Sequence, residues 1–309
     1  MNSLRRFFVY RFFCDRPYFE YRLFCGRRYL EYRFCAASTF YVGRFVRTAD
    51  ACLRFRGAVG FISIMITSRQ NDFVKRIASL KDKKYRTQYG EYLIEGYKQV
   101  REAFLAGKEI VHIVYSPRYK GELYAEDRAV AVSDEVFMKL SEEATPQGIL
   151  AVLKIPEVPF APPAGRCLLL DGVSDPGNLG TILRTANAAG YEDVYLRGCS
   201  DPYAPKCVRS AMSGIFFVRL HEIGDEELSR LVSAVPFLCA DMDGENVFHF
   251  SAPEKFCLVI GNEANGVRRE VRALCSKTVS IPMRGSCESL NAAVSAGILM
   301  YELAPRDLK

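Results

Sequence analysis

Three polar stretches in the last third of the chain hold the residues best suited to chemistry. The first is Asp171-Gly-Val-Ser-Asp-Pro-Gly-Asn-Leu-Gly-Thr-Ile-Leu-Arg184. Within it Asp175 or Asn178 can cap a following helix, and the glycines permit tight turns. Asn178 and Arg184 are six residues apart, a spacing that does not put them on one helical face, and capping leaves the cation at Arg184 unexplained. The second is Val259-Ile-Gly-Asn-Glu-Ala-Asn-Gly266, where Gly261 and Gly266 flank Glu263 and allow backbone to approach a ligand closely. The third is Ile281-Pro-Met-Arg-Gly-Ser-Cys-Glu-Ser-Leu-Asn291, which runs into the small residues Ala292, Ala293, Ser295, Ala296 and Gly297. Glu288, Ser289 and Asn291 stand at the mouth of that helix, where free N–H groups and the positive dipole end favour polar or anionic ligands. A helix with so little side-chain bulk is expected to lie very close to other backbone, since Gly297 inside it costs roughly 1 kcal/mol relative to Ala.

Several chemistries are excluded at once. None of the loops is a G-x-G-x-x-G fingerprint or a Gly-Lys-Ser/Thr phosphate loop, which argues against a nicotinamide-dependent oxidoreductase and against a nucleoside triphosphatase. The 11 cysteines include no C-x-x-C pair, and His112, His221 and His249 lie far apart, so no metal site is indicated. Cys167 and Cys257 sit in apolar runs and read as reduced core residues of a cytoplasmic protein. No run approaches the ~20 apolar residues that would span a membrane.

The elements that must position the loops follow from periodicity. Strand signals recur at 167–170, 193–196, 216–220, 237–240, 256–260 and 278–281. Helical patterns separate them at 179–189, 207–213, 226–234, 265–274 and 289–303. Strand and helix in alternation predict an α/β domain, 166–309, with a parallel sheet covered on both faces. Ligands in such folds sit outside the carboxyl ends of the strands, where all three polar loops fall.

Residues 65–155 read as a smaller α/β unit. It has helices over 71–80, 97–106 and 134–140 and strands over 92–96, 110–115, 129–132 and 148–153. The cluster Lys81-Asp-Lys-Lys-Tyr-Arg86 is either a solvated turn or a phosphate-contacting patch. Four prolines within 156–163 make 156–165 a linker.

The net charge of +6 is unevenly spread: residues 1–64 carry 12 Arg, no Lys and 4 acids, or +8, leaving −2 for the remainder. Any nucleic-acid surface on the body is therefore local. The first 64 residues also hold 17 Phe or Tyr, with near-repeats ending at Cys14, Cys25 and Cys35. Basic–aromatic alternation suits single-stranded nucleic acid. An Arg-rich, acid-poor leader is also the composition of a mitochondrial transit peptide, against which the aromatic load and the cysteines argue. The reading preferred here is an upstream extension outside the folded protein, with Met65 the natural start.

With these residues in place a family resemblance can be stated. Asp-Gly-Val-x-Asp-Pro-x-Asn-x-Gly (171–180) with Arg184, Gly-Asn-Glu-x-x-Gly (261–266) and Ile-Pro-Met-x-Gly-x-x-x-Ser-Leu-Asn (281–291) resemble the three motifs of the SpoU/TrmH ribose 2′-O-methyltransferases. Pro205-Lys-Cys-Val-Arg-Ser-Ala-Met-Ser-Gly214 looks like the helix between the motifs. Leu-Ile-Glu-Gly (93–96) and Thr-Pro-Gln-Gly-Ile-Leu-Ala (145–151) resemble the small ribosomal-protein-like domain often found in front. Ala292-Ala-Val294 replaces a usual Val-Ser-Val, and Pro146 replaces a common His; both are conservative for packing.

The resemblance implies a trefoil-knotted SPOUT domain, a homodimer, and S-adenosylmethionine held in a bent form. Backbone near Gly261, Ile281 and Leu290 would hold that cofactor. Asn178, Arg184, Glu263, Ser289 and Asn291 would form the reacting site, partly across the dimer interface. Lys81, Lys83, Lys84, Arg86 and Arg209 are the expected RNA contacts. The family's usual proposal involves the motif-one arginine in proton removal. A guanidinium with pKa above ~12 is a poor base, so Arg184 is expected instead to pair with phosphate and stabilise developing alkoxide charge. The implied substrate is ribosomal RNA, because the front domain accompanies ribosomal substrates in the family. A tRNA substrate, or a non-catalytic ribosome-assembly protein of the same fold, are the alternatives.

Overall fold

Alternating apolar residues on short parallel strands build the centre of the molecule. A computed structural model describes residues 65–286 and 289–304 with their side chains and, before residue 65, the backbone of short strands. Strands β1 (Val9–Phe12), β2 (Tyr18–Cys25) and β3 (Arg28–Cys35) form an antiparallel sheet within the unit Met1–Ala49. In the unit Asp50–Lys309, β4 (Ala51–Arg54) pairs antiparallel with β5 (Ser63–Ile66). The expectation that residues 1–64 stand outside the folded protein falls largely outside the described residues.

The smaller sheet has the order β6 (Glu91–Glu95), β9 (Ile149–Lys154), β7 (Ile110–Tyr115), β8 (Ala129–Ala131). Helix α1 (Asp72–Ser79) starts where the Asn71 side chain accepts from Phe73 N–H, and it turns Val74, Ile77 and the following Leu80 inward. Helix α4 (Asp134–Leu140), capped by Ser133, covers the same sheet face with Val136, Phe137 and Leu140. Helix α3 (Tyr97–Leu105) covers the opposite face with Val100 and Ala103. Gly96 precedes it at φ +95°, and Gln147 Oε1 accepts from Tyr97 N–H at 2.9 Å. Glu95 accepts from Ser141 Oγ and from Glu142 N–H. The two fragments that carried the resemblance in this half are therefore bound to each other.

The larger sheet is wholly parallel, in the order β12 (Arg219–Glu222), β11 (Asp193–Arg197), β10 (Cys167–Asp171), β14 (Cys257–Gly261), β13 (Phe237–Asn246), β15 (Lys277–Ser280). Period two sorts its side chains. Leu168, Leu170, Val194, Leu258 and Ile260 face α5 (Pro176–Ala188), α6 (Pro205–Ala211) and α9 (Ala292–Glu302), in a core continuous with Tyr92, Ile94 and Val100 of the smaller unit. Leu169, Tyr195, Cys239 and Val259 face α7 (Asp225–Ala234) and α8 (Arg269–Arg272).

Four expectations need correction. The strand expected over 216–220 starts only at Arg219, as β12, because a 3-10 turn, Met212–Phe216, runs into its expected first residue. Gly214 in that turn lies against α5, where a Cβ would stand 2.7 Å from Arg184 Cα, and Arg219 pairs in register with Asp193. The helix expected over 265–274 is the single turn α8, because Asn262 and Gly266 exchange both backbone hydrogen bonds and Gly266 takes φ +67°. The last helix begins after Asn291 rather than at Ser289. Gly297 is not where backbone crowds: a Cβ there would meet only Thr185 Cγ2 at 3.6 Å. Backbone crowds instead at Gly214, at Gly244 against Val279, at Gly180 against the Cys207 carbonyl, and at Gly261 against the Gly266–Val267 peptide. Among the described residues no helix is long and apolar enough to cross a membrane.

Candidate active site

The site forms where β10, β14 and β15 release their chains on the carboxyl side of the sheet. After β10, Asp175 caps α5: its Oδ1 accepts from Asn178 N–H at 2.9 Å, and Pro176 occupies the first turn. Lys206 on α6 reaches the other carboxylate oxygen at 2.6 Å and holds the Asp175 carboxyl below its ordinary range. Between the two open candidates, the cap is thus Asp175. Asn178 lies one turn inside the helix with its side chain free for other work.

After β14, Asn262 closes its loop on itself. Its Oδ1 accepts from Ala264 and Asn265 N–H, and its Nδ2 donates to the Gly172 carbonyl at 2.9 Å. Glu263 is thereby aimed at the first loop. Its carboxylate accepts from Ser174 N–H (3.1 Å), Ser174 Oγ (3.0 Å), Asp175 N–H (3.1 Å) and Asn178 Nδ2 (3.0 Å). Burial pushes the Glu263 carboxyl up, but the Asn178 and backbone donors outweigh it and hold the group at about 2. A carboxylate so filled with donors is a fixed anion, not a proton acceptor at neutral pH.

After β15 the chain reaches Asn291, whose Oδ1 caps α9 by accepting from Ala293 and Val294 N–H. That role leaves its Nδ2 as a donor, and it donates to Asn178 Oδ1 at 2.9 Å. Glu263, Asn178 and Asn291 therefore form one chain of hydrogen bonds that ties all three loops together.

Of the five residues expected to react, these three meet. Ser289 is exposed two residues before Asn291 and makes no hydrogen bond among the described residues. Arg184 stands apart. It is exposed on α5 and lines a groove of about 510 Å³ with Lys98, Glu102, Leu105, Met212 and Phe217. Six helical residues turn the chain by about 240°, which carries Arg184 away from Asn178. Glu288 lies outside the described residues.

The residues expected to hold a cofactor differ among themselves. Gly261 has no room for a side chain. Ile281 is partly buried against the core, and Leu290 is 38% exposed. The described backbone of 281–286 and 289–290 makes no backbone–backbone hydrogen bond, so its donors and acceptors are free for a ligand. Among the described residues no cluster of three or more His, Cys, Asp or Glu side chains could hold a metal ion.

The expected RNA contacts divide. Arg86 is buried: Nε and Nη2 bond Asp201 Oδ2 at 2.9 and 2.6 Å, and Nη1 donates to the Leu80 and Lys81 carbonyls. It is a fastener between the two sheets, not a phosphate contact. Lys81 is likewise spent on the Lys139 and Ser141 carbonyls and on Glu142. Lys83 and Lys84 are exposed on α2 (Lys83–Tyr89), and Arg209 is exposed on α6.

Four positioning residues had no role in the sequence reading. Asp171, fully buried at the end of β10, accepts from Arg268 N–H at 2.9 Å and pairs with the Arg268 and Arg197 guanidiniums, locking the second loop to the first strand. Asn262, Ser174 and Lys206 complete the set. Asn262 and Asp171 lie inside quoted motifs, which is a signal; Ser174 fills a variable position and had none.

The comparisons with known proteins agree with this geometry. Residues 165–301 match the model of the SpoU rRNA Methylase family, and residues 71–151 match the MRM3-like substrate binding domain. The chain is 35% identical over 246 residues to the 23S rRNA (guanosine(2553)-2′-O)-methyltransferase RlmP of Bacillus subtilis, spanning 77% of this chain and 98% of that one. It is 32% identical to the 23S rRNA (uridine(2479)-2′-O)-methyltransferase of Streptomyces viridochromogenes, over 77% and 90%. Among solved structures, the AdoMet-bound rRNA methyltransferase from Sinorhizobium meliloti superposes with a TM-score of 0.70 at 29% identity, covering 77% of this chain and 96% of that one. Motifs, loop geometry and full-length relatives lead to one conclusion: the chain belongs to the SpoU rRNA methylase family.

Proposed function

We propose that the protein transfers the methyl group of S-adenosylmethionine to a ribose 2′-hydroxyl of ribosomal RNA. The observation that carries this is the hydrogen-bonded chain Glu263–Asn178–Asn291, which assembles three loops into one polar site at the carboxyl ends of the strands. The ribosomal substrate is supported by the relatives' named activities and by the match of residues 71–151 to a substrate-binding domain.

The loops suit S-adenosylmethionine. Free backbone donors and acceptors after β15 match the mixed edge of an adenine, and exposed Met283 and Leu290 offer apolar cover. Backbone near Gly261, Ile281 and Leu290 would hold it. When bound, it supplies a methyl group already electrophilic on a sulfonium sulfur.

The protein's task is then the weak nucleophile. Holding hydroxyl oxygen and methyl carbon in line is worth roughly 7–11 kcal/mol. Glu263 fixes Asn178, whose amide is oriented from both sides, and Asn178 and Asn291 present their remaining valences to the ribose. Ser289 adds a hydroxyl on the same loop. Arg184 neutralises the nucleotide phosphate and the charge growing on the 2′-oxygen.

Arg184 lies away from Asn178 within one chain, which favours a site completed across a homodimer. Val294 and Tyr301, 51% and 53% exposed on α9, supply apolar surface for that contact. The trefoil knot and a cytoplasmic location belong to the same reading; the six described cysteines are all free thiols.

The test is methyl transfer from labelled S-adenosylmethionine into total RNA from cells lacking the gene, followed by nuclease mapping. Label in one ribose of a large ribosomal RNA is expected. Binding of S-adenosylmethionine without label in any RNA would overturn the assignment of the acceptor, and absence of both would overturn the reaction.

A further inference from the structure

The outer face of α3 is unlike the rest of the smaller unit. Tyr97 and Phe104, two turns apart, are 36% and 44% exposed, and Leu105 beside them is 65% exposed. Tyr124 sits between the two rings, with centroids 6.2 Å from Tyr97 and 5.2 Å from Phe104, so the three make one aromatic row. Tyr119 extends it, 6.2 Å from Tyr97. The row is held in place: the Tyr97 and Tyr124 hydroxyls are 3.0 Å apart, Tyr119 Oη donates to the Glu122 carbonyl, and Gln147 fixes the start of the helix.

Cations are interleaved with the rings. Arg101 lies on α3 between Tyr97 and Phe104, and Lys120 follows Tyr119. Both are exposed and make no ion pair among the described residues. Lys98 and Arg118 add charge, although each contacts an acid, Glu102 at 4.0 Å and Asp134 at 3.8 Å. Glu122 is the opposing carboxylate at the rim. Along α3 the row passes through Leu105 and Lys98 directly into the groove that contains Arg184 and the 52% exposed Phe217.

We propose that this face of α3, from the Tyr97–Tyr124–Phe104 row across Arg101 to the Arg184 groove, is a stacking platform for unpaired bases of the RNA substrate. The proposal rests on the reading of the protein as an RNA methyltransferase and names where that RNA lies. Aromatic faces with a guanidinium between them match the alternation of base and phosphate along a single strand. A protein–protein core, by contrast, would be depleted of lysine, and exposed Lys98 and Lys120 border this row. Ribose methylation also needs an unpaired or splayed nucleotide, and stacking on exposed rings is the usual way a protein holds one.

The chain has no tryptophan, so a single indole reports on this face alone. In the full-length protein, the fluorescence of Phe104→Trp is expected to fall at least about twofold on saturation with polyadenylate or with ribosomal RNA. Met138→Trp, on α4 across the sheet, is expected to stay unquenched. Tyr97→Ala/Phe104→Ala should raise the Kd for ribosomal RNA about tenfold or more, with S-adenosylmethionine affinity by calorimetry unchanged. Tyr97→Phe should keep RNA affinity within about twofold, since the ring remains. An unquenched indole with RNA bound, or equal quenching at Met138→Trp, overturns the platform. So does a double variant whose sedimentation changes while its RNA affinity does not, because the face is then an interface between proteins. Failure of the unaltered protein to bind RNA would overturn the underlying reading as well, and the labelled-methyl assay separates that case from loss of the platform alone.

Discussion

Asn291 Nδ2 donates to Asn178 Oδ1 at 2.9 Å across 113 residues of sequence. Neither amide is free to turn over. Asn291 Oδ1 is occupied by the α9 cap, and Asn178 Nδ2 is claimed by Glu263. Replacing Asn178 by Asp removes the donor and sets a second carboxylate against Glu263. Asn178→Asp and Asn178→Ala are both expected to lower kcat/KM for methyl transfer by about 10²-fold, because misplacement of about 1 Å is enough for that loss. Stability should change by only about 1–3 kcal/mol, the worth of two hydrogen bonds at a half-buried side chain. Kinetics and a urea titration of the same variants check the split. A loss confined to stability would remove Asn178 from the site.

Glu263 makes a pH prediction with a definite sign. Its carboxyl is held at about 2 against an ordinary value of 4.5. A depressed carboxyl contributes stability that is fully present above its unfolded value and is lost as pH falls towards the folded one. The contribution of Glu263 to folding stability is therefore expected to be constant from neutrality down to about pH 5 and to be lost progressively below it, while in the folded protein the carboxylate stays ionised. Glu263→Gln should weaken binding of S-adenosylmethionine even at neutral pH, since the new N–H₂ must face donors whichever oxygen it replaces, Ser174 N–H on one side or Asp175 N–H and Asn178 Nδ2 on the other. Urea unfolding across pH measures the first, and calorimetric titration with S-adenosylmethionine across pH the second. An acid limb with an apparent pKa near neutrality that disappears in Glu263→Gln would make Glu263 a base after all.

Arg86 is predicted to matter for stability rather than for RNA alone. It is buried and holds Asp201, whose Oδ1 in turn accepts from Tyr203 N–H ahead of α6. Arg86→Ala leaves the Asp201 carboxylate without its cation and should cost about 3–5 kcal/mol in denaturant unfolding. Arg86→Lys should not restore it, because one ammonium cannot reproduce a two-nitrogen contact together with two carbonyl bonds. Lys83→Ala and Lys84→Ala, exposed on the same helix α2, should stay within about 0.5 kcal/mol. Equal stability of all these variants would return Arg86 to the RNA-facing surface.

The contrast between Arg86 and Lys83 shows what sequence could not say. A run of cations in a short polar stretch reads alike whichever members turn inward, and only Asp201, 115 residues away, decides that Arg86 does. The strands and the three loops were legible because period two and strand-end placement are local properties. The link from Asn178 to Asn291 was not, since Asn178 also had a sufficient local explanation as a helix cap and Asn291 as a polar group at a helix mouth. Arg184 was ambiguous because the six-residue spacing does not by itself fix which cleft it flanks, and the 3-10 turn Met212–Phe216, which no sequence pattern marked, helps to shape its groove. The aromatic row on α3 went unseen because Tyr119 and Tyr124 reach it from a separate loop.

The glycines give the sharpest stability contrast. Gly180 on α5 lies under α6, where a Cβ would overlap the Cys207 carbonyl and stand 2.7 Å from Ser210 Cβ. Backbone cannot yield as a side chain can, so Gly180→Ala must push α6 away from α5. Overpacking of this kind costs about 1–3 kcal/mol. It should also weaken the Lys206–Asp175 contact, and with it the cap that presents Asn178. Gly297→Ala on α9 meets only Thr185 Cγ2 at 3.6 Å, and the helix gains propensity, so about 0.5–1 kcal/mol of stabilisation is expected there. Thermal melts of the two variants, with methyl transfer measured alongside, test both statements. A destabilised Gly297→Ala would mean that α9 has a closer neighbour in the assembled protein than any within one chain, as a second copy packed on Val294 and Tyr301 would provide.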